Sequence, residues 1–188
     1  MKNNALFAKG LGPVTLILLY LSTFSAKAQV PASKVDFDAF EKLTAEVKDY
    51  RKDRLVNLEE FLKMSKEKGV VILDTRSDEM YKAKHVKGAI HLNFSDFTQA
   101  NLANVIPSTT TKILIYCNNN FDNDEQFFAT KAVMPVVKSK DKKELTLALN
   151  IPTFINLYGY GYKNVYELSE FVSVFDGRIE FEGTSVGK

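Results

Sequence analysis

One thiol is available to this chain, Cys117, and its place along the sequence invites chemistry. The run Lys112-Ile113-Leu114-Ile115-Tyr116 reads as a short buried strand, and Cys117 stands at its carboxyl end. A polar loop follows, Asn118-Asn119-Asn120-Phe121-Asp122-Asn123, and the pattern from Asp124 to about Val133 predicts a helix after it. Open α/β sheets hold ligands outside the carboxyl ends of their strands. The partial positive charge of a helix start favours thiolate over thiol. A free cysteine is also among the residues most often buried as a small hydrophobe. Residue type and place therefore admit two readings, a reactive sulfur or an inert one.

The elements that must position this sulfur are legible in outline. Phe37, Phe40, Leu43 and Val47 recur at helical spacing and predict a helix over about 36–49. Arg54-Leu55-Val56 is extended. Asn57, with Glu60 three residues on, forms a capping box for a helix carrying Leu58, Phe61 and Leu62, which Gly69 ends. Val70-Val71-Ile72-Leu73 is uniformly apolar, as a parallel strand covered on both faces should be. Ser77 caps a short helix with Glu79, Met80 and Tyr81. His85 to Leu92 is extended, and Ser95 opens a helix to about Ala103. Leu145 and Leu147 permit a short strand. Asn150 caps a helix bearing Phe154, Ile155, Leu157 and Tyr158, and Gly159 and Gly161 end it. Asn164 to Leu168 is the last sheet strand, and Arg178 to Phe181 is an added edge strand. Apolar strands alternating with helices indicate an α/β fold with a central parallel sheet flanked by helices.

The chain has 188 residues. Its first 28 are read as a secretory signal: Lys2 and Lys9 lead, an apolar run spans Leu11 to Phe24, and Ala26-Lys27-Ala28 offers a cleavage site. We therefore expect export to a periplasmic or extracellular setting after cleavage near Ala28. Without Lys2, Lys9 and Lys27 the 25 basic residues fall to 22, against 23 acidic ones. No basic stripe argues for nucleic acid, and no second long apolar segment argues for stable membrane association. The expected organisation is a leader and helix over 29–52 and one α/β domain over 53–188.

Leu73-Asp74-Thr75-Arg76, then Glu79, Tyr81, His85, Gly88-Ala89 and Leu92, resemble in order and spacing the first signature of the rhodanese-like (sulfurtransferase) domain family. Gly161-Tyr162-Lys163-Asn164-Val165-Tyr166 resembles the family's last strand. The resemblance implies that Cys117 carries a persulfide. It implies that the backbone N–H groups of Asn118, Asn119, Asn120, Phe121, Asp122 and Asn123 cradle it, and that Asp74, Arg76 and His85 support the loop. No cofactor is implied. His85, with Asp74 and Glu79 nearby, is assigned to a structural polar network and His91 to a strand–loop edge, and no metal is expected. A phosphatase would need an Arg six residues after the cysteine, where Asn123 stands.

The loop departs from the family in lacking Arg. Asp122, Asp124 and Glu125 are expected to repel small anions and to raise the thiol pKa. We therefore expect weak classical thiosulfate activity and a thiol or protein acceptor. The alternative is a binding or interaction module that keeps the fold without turnover. The stretch of about 134–149 is read as an insertion before the last strand.

Overall fold

In the computed structural model, which describes residues 33–133 and 145–187, parallel strands in the order β1-β9-β5-β2-β4 form the central sheet. The chain runs α1 (Phe37–Lys52), β1 (Leu55–Val56), α2 (Leu58–Ser65), β2 (Val71–Asp74), α3 (Asp78–Ala83), β3 (His85–Val86) and β4 (Ile90–His91). It continues through α4 (Gln99–Val105), β5 (Ile113–Tyr116), β6 (Phe121–Asp122), β7 (Ala132–Val133) and β8 (Leu145–Thr146). It closes with α5 (Asn150–Gly159), β9 (Val165–Leu168), β10 (Val172–Ser173) and β11 (Phe181–Glu182). The expected leader at 1–28 and the charged run from Lys138 to Glu144 lie outside the described residues.

Side chains alternate across a strand, and that period sorts the core into two layers. Leu73, Ile113, Ile115 and Val165 face α1, α4 and α5, where Val47, Leu102, Phe154 and Leu157 meet them. Ile72, Leu114, Tyr116 and Leu168 face the other way, toward Leu58 and Phe61 of α2 and toward Phe121, Phe128 and Ile179. The five sheet strands carry apolar side chains on both faces because both are covered. α1 belongs to the same compact unit as the sheet.

Most elements stand where the residue pattern places them, and the exceptions are instructive. Asn57 and Ser77 cap α2 and α3 through Glu60 and Met80 amides. α2 ends at Ser65, and Gly69 (φ 80°) serves the turn that follows. The stretch from Ser95 splits into a 3-10 turn (Phe94–Asp96) and α4, which Thr98 caps. The edge strand expected at Arg178–Phe181 is shorter and later: β11 pairs antiparallel with β3.

The helix expected from Asp124 to Val133 does not form. Asp124 closes a single turn, with Phe128 N–H on its carbonyl, and the chain then straightens into β7, which pairs antiparallel with β8. Asn123 enters the turn at φ 66°, the left-handed region that Asn tolerates. Two tertiary demands override the helical pattern. Phe128 is pulled into the core against Phe121 and Phe181, and the Phe127 carbonyl is taken by Arg76 (2.9 Å).

Arg76 is the hub of that side of the sheet. Its Nε and Nη2 donate to both oxygens of Asp74, its Nη2 also to Lys84 O (2.6 Å), and its Nη1 to Phe127 O and weakly to Asn118 Oδ1 (3.5 Å). Burial works against the guanidinium charge, but Asp74 more than offsets it and the pKa rises. Tyr116, paired with Asp74 across β5 and β2, donates to Asp74 Oδ2 (2.5 Å) and accepts from Val86 N–H (3.0 Å). Removing the carboxylate strands a buried cation. Asp74→Ala is expected to lose about 3–5 kcal/mol in urea unfolding. Lys87→Ala, whose ammonium meets Glu180 in solvent, should leave the transition where it is.

Candidate functional site

Cys117 continues the alternation of β5 one residue beyond the strand, so its sulfur falls on the α5 side of the sheet, opposite Tyr116. It is 1% exposed. The backbone N–H groups of Asn119 and, at the start of α5, of Leu149 and Asn150 favour the charged form of the sulfur and draw its pKa down. The first N–H groups of a helix have no partner inside it, which frees the α5 pair for this role. The helix start beside the sulfur thus belongs to α5, far along the chain, and not to the segment after the loop.

Of the six loop residues, the fold brings Asn118 and Asn119 to the sulfur's cavity, ties Asn120 to the Cys117 backbone, and directs the other three elsewhere. Asn118, Asn119 and Asn120 form a 3-10 turn. Asn120 N–H donates to Cys117 O, while its side chain accepts from Cys117 N–H (2.9 Å) and donates to Leu168 O (2.7 Å). Phe121 N–H closes the turn on Asn118 O, and Phe121 and Asp122 then pair as β6 with β10. Asn123 N–H goes to the Asp122 carboxylate (2.7 Å). A six-residue ring of amides is therefore not what surrounds the sulfur. The amides that draw its pKa down are those of Asn119 and, at the start of α5, of Leu149 and Asn150.

The acids are displaced as well. Asp124 pairs with Lys84 (2.8 Å), and Asp122, Asp124 and Glu125 line a separate depression with Phe171. The cavity above Cys117, of about 350 Å³, is lined by Thr75, Arg76, Ser77, Met80, Asn93, Phe94, Asn118, Asn119, Lys131 and Leu149. Among the described residues this lining holds two cations and no carboxylate. The expected repulsion of anions by the loop acids has no counterpart at this mouth.

Behind the sulfur lies a chain of polar contacts that the residue pattern does not announce. The Cys117 S–H donates to Asn150 Oδ1 (2.9 Å), Asn150 Nδ2 donates to Glu167 Oε1 (2.7 Å), and Glu167 takes a two-pronged bond from Arg51 Nε and Nη2 (2.5 Å each). Asn150, expected as a helix cap, is instead the first residue of α5 and spends its side chain on this chain. Glu167 lies on β9 with Val165, on the α5 side, and pairs in register with Ile115. A lone carboxylate inside the apolar strand Val165-Tyr166-Glu167-Leu168 was the signal that could have found it.

Of the expected supports, Asp74 and Arg76 stand beneath the loop. His85 does not reach it: Nδ1 meets Tyr81 O (2.6 Å), Nε2 meets Glu182 (3.2 Å), and the ring stacks on Tyr81, fixing β3 against β11. His91 is held by Asp78 (2.8 Å).

Comparison with known proteins follows the same lines. The family model described as "Rhodanese-like domain" matches residues 57–175. A curated relative, rhodanese-like domain-containing protein 14, chloroplastic, of Arabidopsis thaliana, is 32% identical over 93 residues, 47% of this chain and 40% of that protein. The chain thus spans less than half of that relative's length. A solved structure from Bacillus halodurans is similar at TM-score 0.44 and 18% identity, covering 79% of this chain and 88% of that one. The 30 kDa polysulfide-sulfur transferase homodimer of Wolinella succinogenes is similar at TM-score 0.40 and 15% identity, covering 73% and 91%.

The electrostatics of the sulfur are a contest. Burial pushes the Cys117 thiol up; the Asn150, Asn119 and Leu149 amides pull it down; Glu167 adds an upward push, and burial prevails. The folded protein therefore holds this proton at a pH where the unfolded chain, near the ordinary value of about 8.5, releases it. The sulfur's contribution to stability is complete below that value and is lost as pH rises through the folded pKa. Unfolding free energy should decline above about pH 8.5, more steeply in the native chain than in Cys117→Ala. Alkylation of the folded protein by iodoacetamide should show its midpoint above that of the urea-unfolded chain.

Proposed function

Because the chain belongs to the rhodanese-like domain family, we propose that it handles sulfane sulfur, taking it onto Cys117 as a persulfide and passing it to a thiol or protein acceptor. The observation that carries the proposal is the sulfur lining a cavity that holds no carboxylate among its described residues, with the backbone amides of Asn119, Leu149 and Asn150 favouring its anion. Amides of this kind stabilise charge where it develops, and a dry site strengthens them. They suit a persulfide, whose outer sulfur bears the charge.

The two half-reactions balance without a cofactor. The Cys117 sulfur attacks the outer sulfur of a donor RS–S⁻, the donor S–S bond breaks, and the leaving RS⁻ takes the proton that Cys117 gives up. Cys117–S–S⁻ remains. An acceptor thiolate then attacks the outer sulfur, the bond to Cys117 breaks, and the cysteine is restored as it regains a proton.

Lys131 and the lack of acids among the described lining residues support an anionic donor such as a polysulfide, a wider choice than the loop's own charges allowed. We further propose that residues 1–28 act as an export leader; a mature protein beginning elsewhere than at Gln29, by terminal sequencing, would remove that proposal.

Intact mass after treatment with polysulfide is expected to rise by one sulfur atom, and Cys117→Ser is expected to gain none. Lys131→Glu should slow uptake from polysulfide several-fold, by about 3–10 times at low salt, and slow alkylation by neutral iodoacetamide less. No sulfur gain from polysulfide or thiosulfate, with partner capture unaffected by Cys117→Ser, would leave a binding module built on this fold.

A further inference from the structure

A carboxylate only accepts hydrogen bonds, whereas a primary amide has one accepting end and one donating end. Glu167 is buried, at 3% exposure, and its oxygens already serve Arg51. An ionised Glu167 therefore dictates which end of the Asn150 amide it meets: the NH₂ group must face Glu167. The amide oxygen is left facing Cys117, where it accepts the S–H at 2.9 Å. A thiolate in that place would confront an oxygen lone pair. A reversed amide would instead present N–H to the sulfur and stabilise its anion.

We propose that Glu167 is a positioning residue for Cys117, acting through Asn150: it locks the amide in the orientation that keeps the sulfur protonated, and Arg51 of α1 holds Glu167 in the form that does so. The proposal deepens the sulfur-transfer reading and rests on it for its purpose, though its geometry stands alone. Cys117 then stays a thiol until a donor arrives. The control comes from three separate elements, α1, α5 and β9. Arg51 lies outside the residues that the family model matches, so α1 adds this hold to the domain.

The groups around the relay are few. Glu167 meets Arg51 from α1 and Asn150 from α5. Cys117 meets Glu167's field from β9, the amides of Asn119, Leu149 and Asn150, and, across the cavity, Lys131 and an Arg76 already neutralised by Asp74. Burial raises the Glu167 carboxyl pKa and Arg51 draws it back.

Glu167→Gln tests the idea, because Gln can accept as well as donate and frees the Asn150 amide to turn. The readout is the pH profile of Cys117 alkylation by iodoacetamide. The midpoint should fall by about one unit, giving roughly tenfold faster alkylation at pH 7. Asn150→Ala provides the discriminating background, in which adding Glu167→Gln should shift the midpoint far less, by the direct field of Glu167 alone. An unchanged midpoint for Glu167→Gln overturns the proposal. So does an equal shift with Asn150 removed, since the lost charge would then be acting directly through space. A measurement on the native chain guards against a variant that fails to fold. The single S–H stretching band should lie below its position in the urea-unfolded chain at pH 7, and a band at the free-thiol position overturns the proposal. These outcomes are independent of sulfur uptake by the native protein, so failure of the sulfur-transfer reading and failure of the relay remain distinguishable.

Discussion

The buried Asp74–Arg76 pair is the constraint on which the rest depends. A guanidinium desolvated to this degree must have every donor answered. The answers come from β2 itself, from Lys84 after α3, and from Phe127 and Asn118 after β5. Three chain segments are thereby gathered at the carboxyl end of the sheet, where the cavity opens. Tyr116 ties the same carboxylate to the central strand. The pair matters less for its own net energy than for the loops that cannot leave it.

With one face of the sheet end closed by that hub, the sulfur is delivered to the other. The period of two along β5 puts Tyr116 and Cys117 on opposite sides, so Tyr116 and Asp74 lie across the sheet from the sulfur and only Arg76 of that network reaches its cavity. On the sulfur's side the start of α5 supplies amides that the loop alone does not. The site is assembled from a strand end, a short turn and a helix remote in sequence. Its chemistry is a balance between burial, which holds the proton, and amides, which release it.

That balance does not depend on a positive charge within the loop. The charges that sequence proximity places around Cys117 are turned away: Asp124 is spent on Lys84, and the neighbouring acids open onto another depression. The cations that do face the cavity, Arg76 and Lys131, come from before and after the loop. α1 enters the site by the same route of tertiary contact, since Arg51 meets Glu167 across the packing of α1 on the sheet's α5 side.

Local patterns alone determined a good deal. The uniformly apolar strand at Val71–Leu73, the caps at Asn57 and Ser77, the first helix and the strand-end place of Cys117 were all readable, because each depends on neighbours a few residues away, though Phe37 and Phe40 of that helix's apolar stripe stay exposed. The signature around Asp74-Thr75-Arg76 carried the family for the same reason. What the residue pattern could not decide was every choice made between distant segments. The stretch from Asp124 has helical spacing, yet Arg76 takes a carbonyl that the helix needs and the core takes Phe128. Asn150 has the type of a helix cap, yet a thiol and a carboxylate from two other elements claim its amide. Glu167 stands out as a lone carboxylate in an apolar strand, but which face it takes is set by the pairing of β9 with β5. Hydrogen-bond satisfaction in a buried site is settled by whichever groups the fold brings within 3 Å, and sequence spacing contains no record of that.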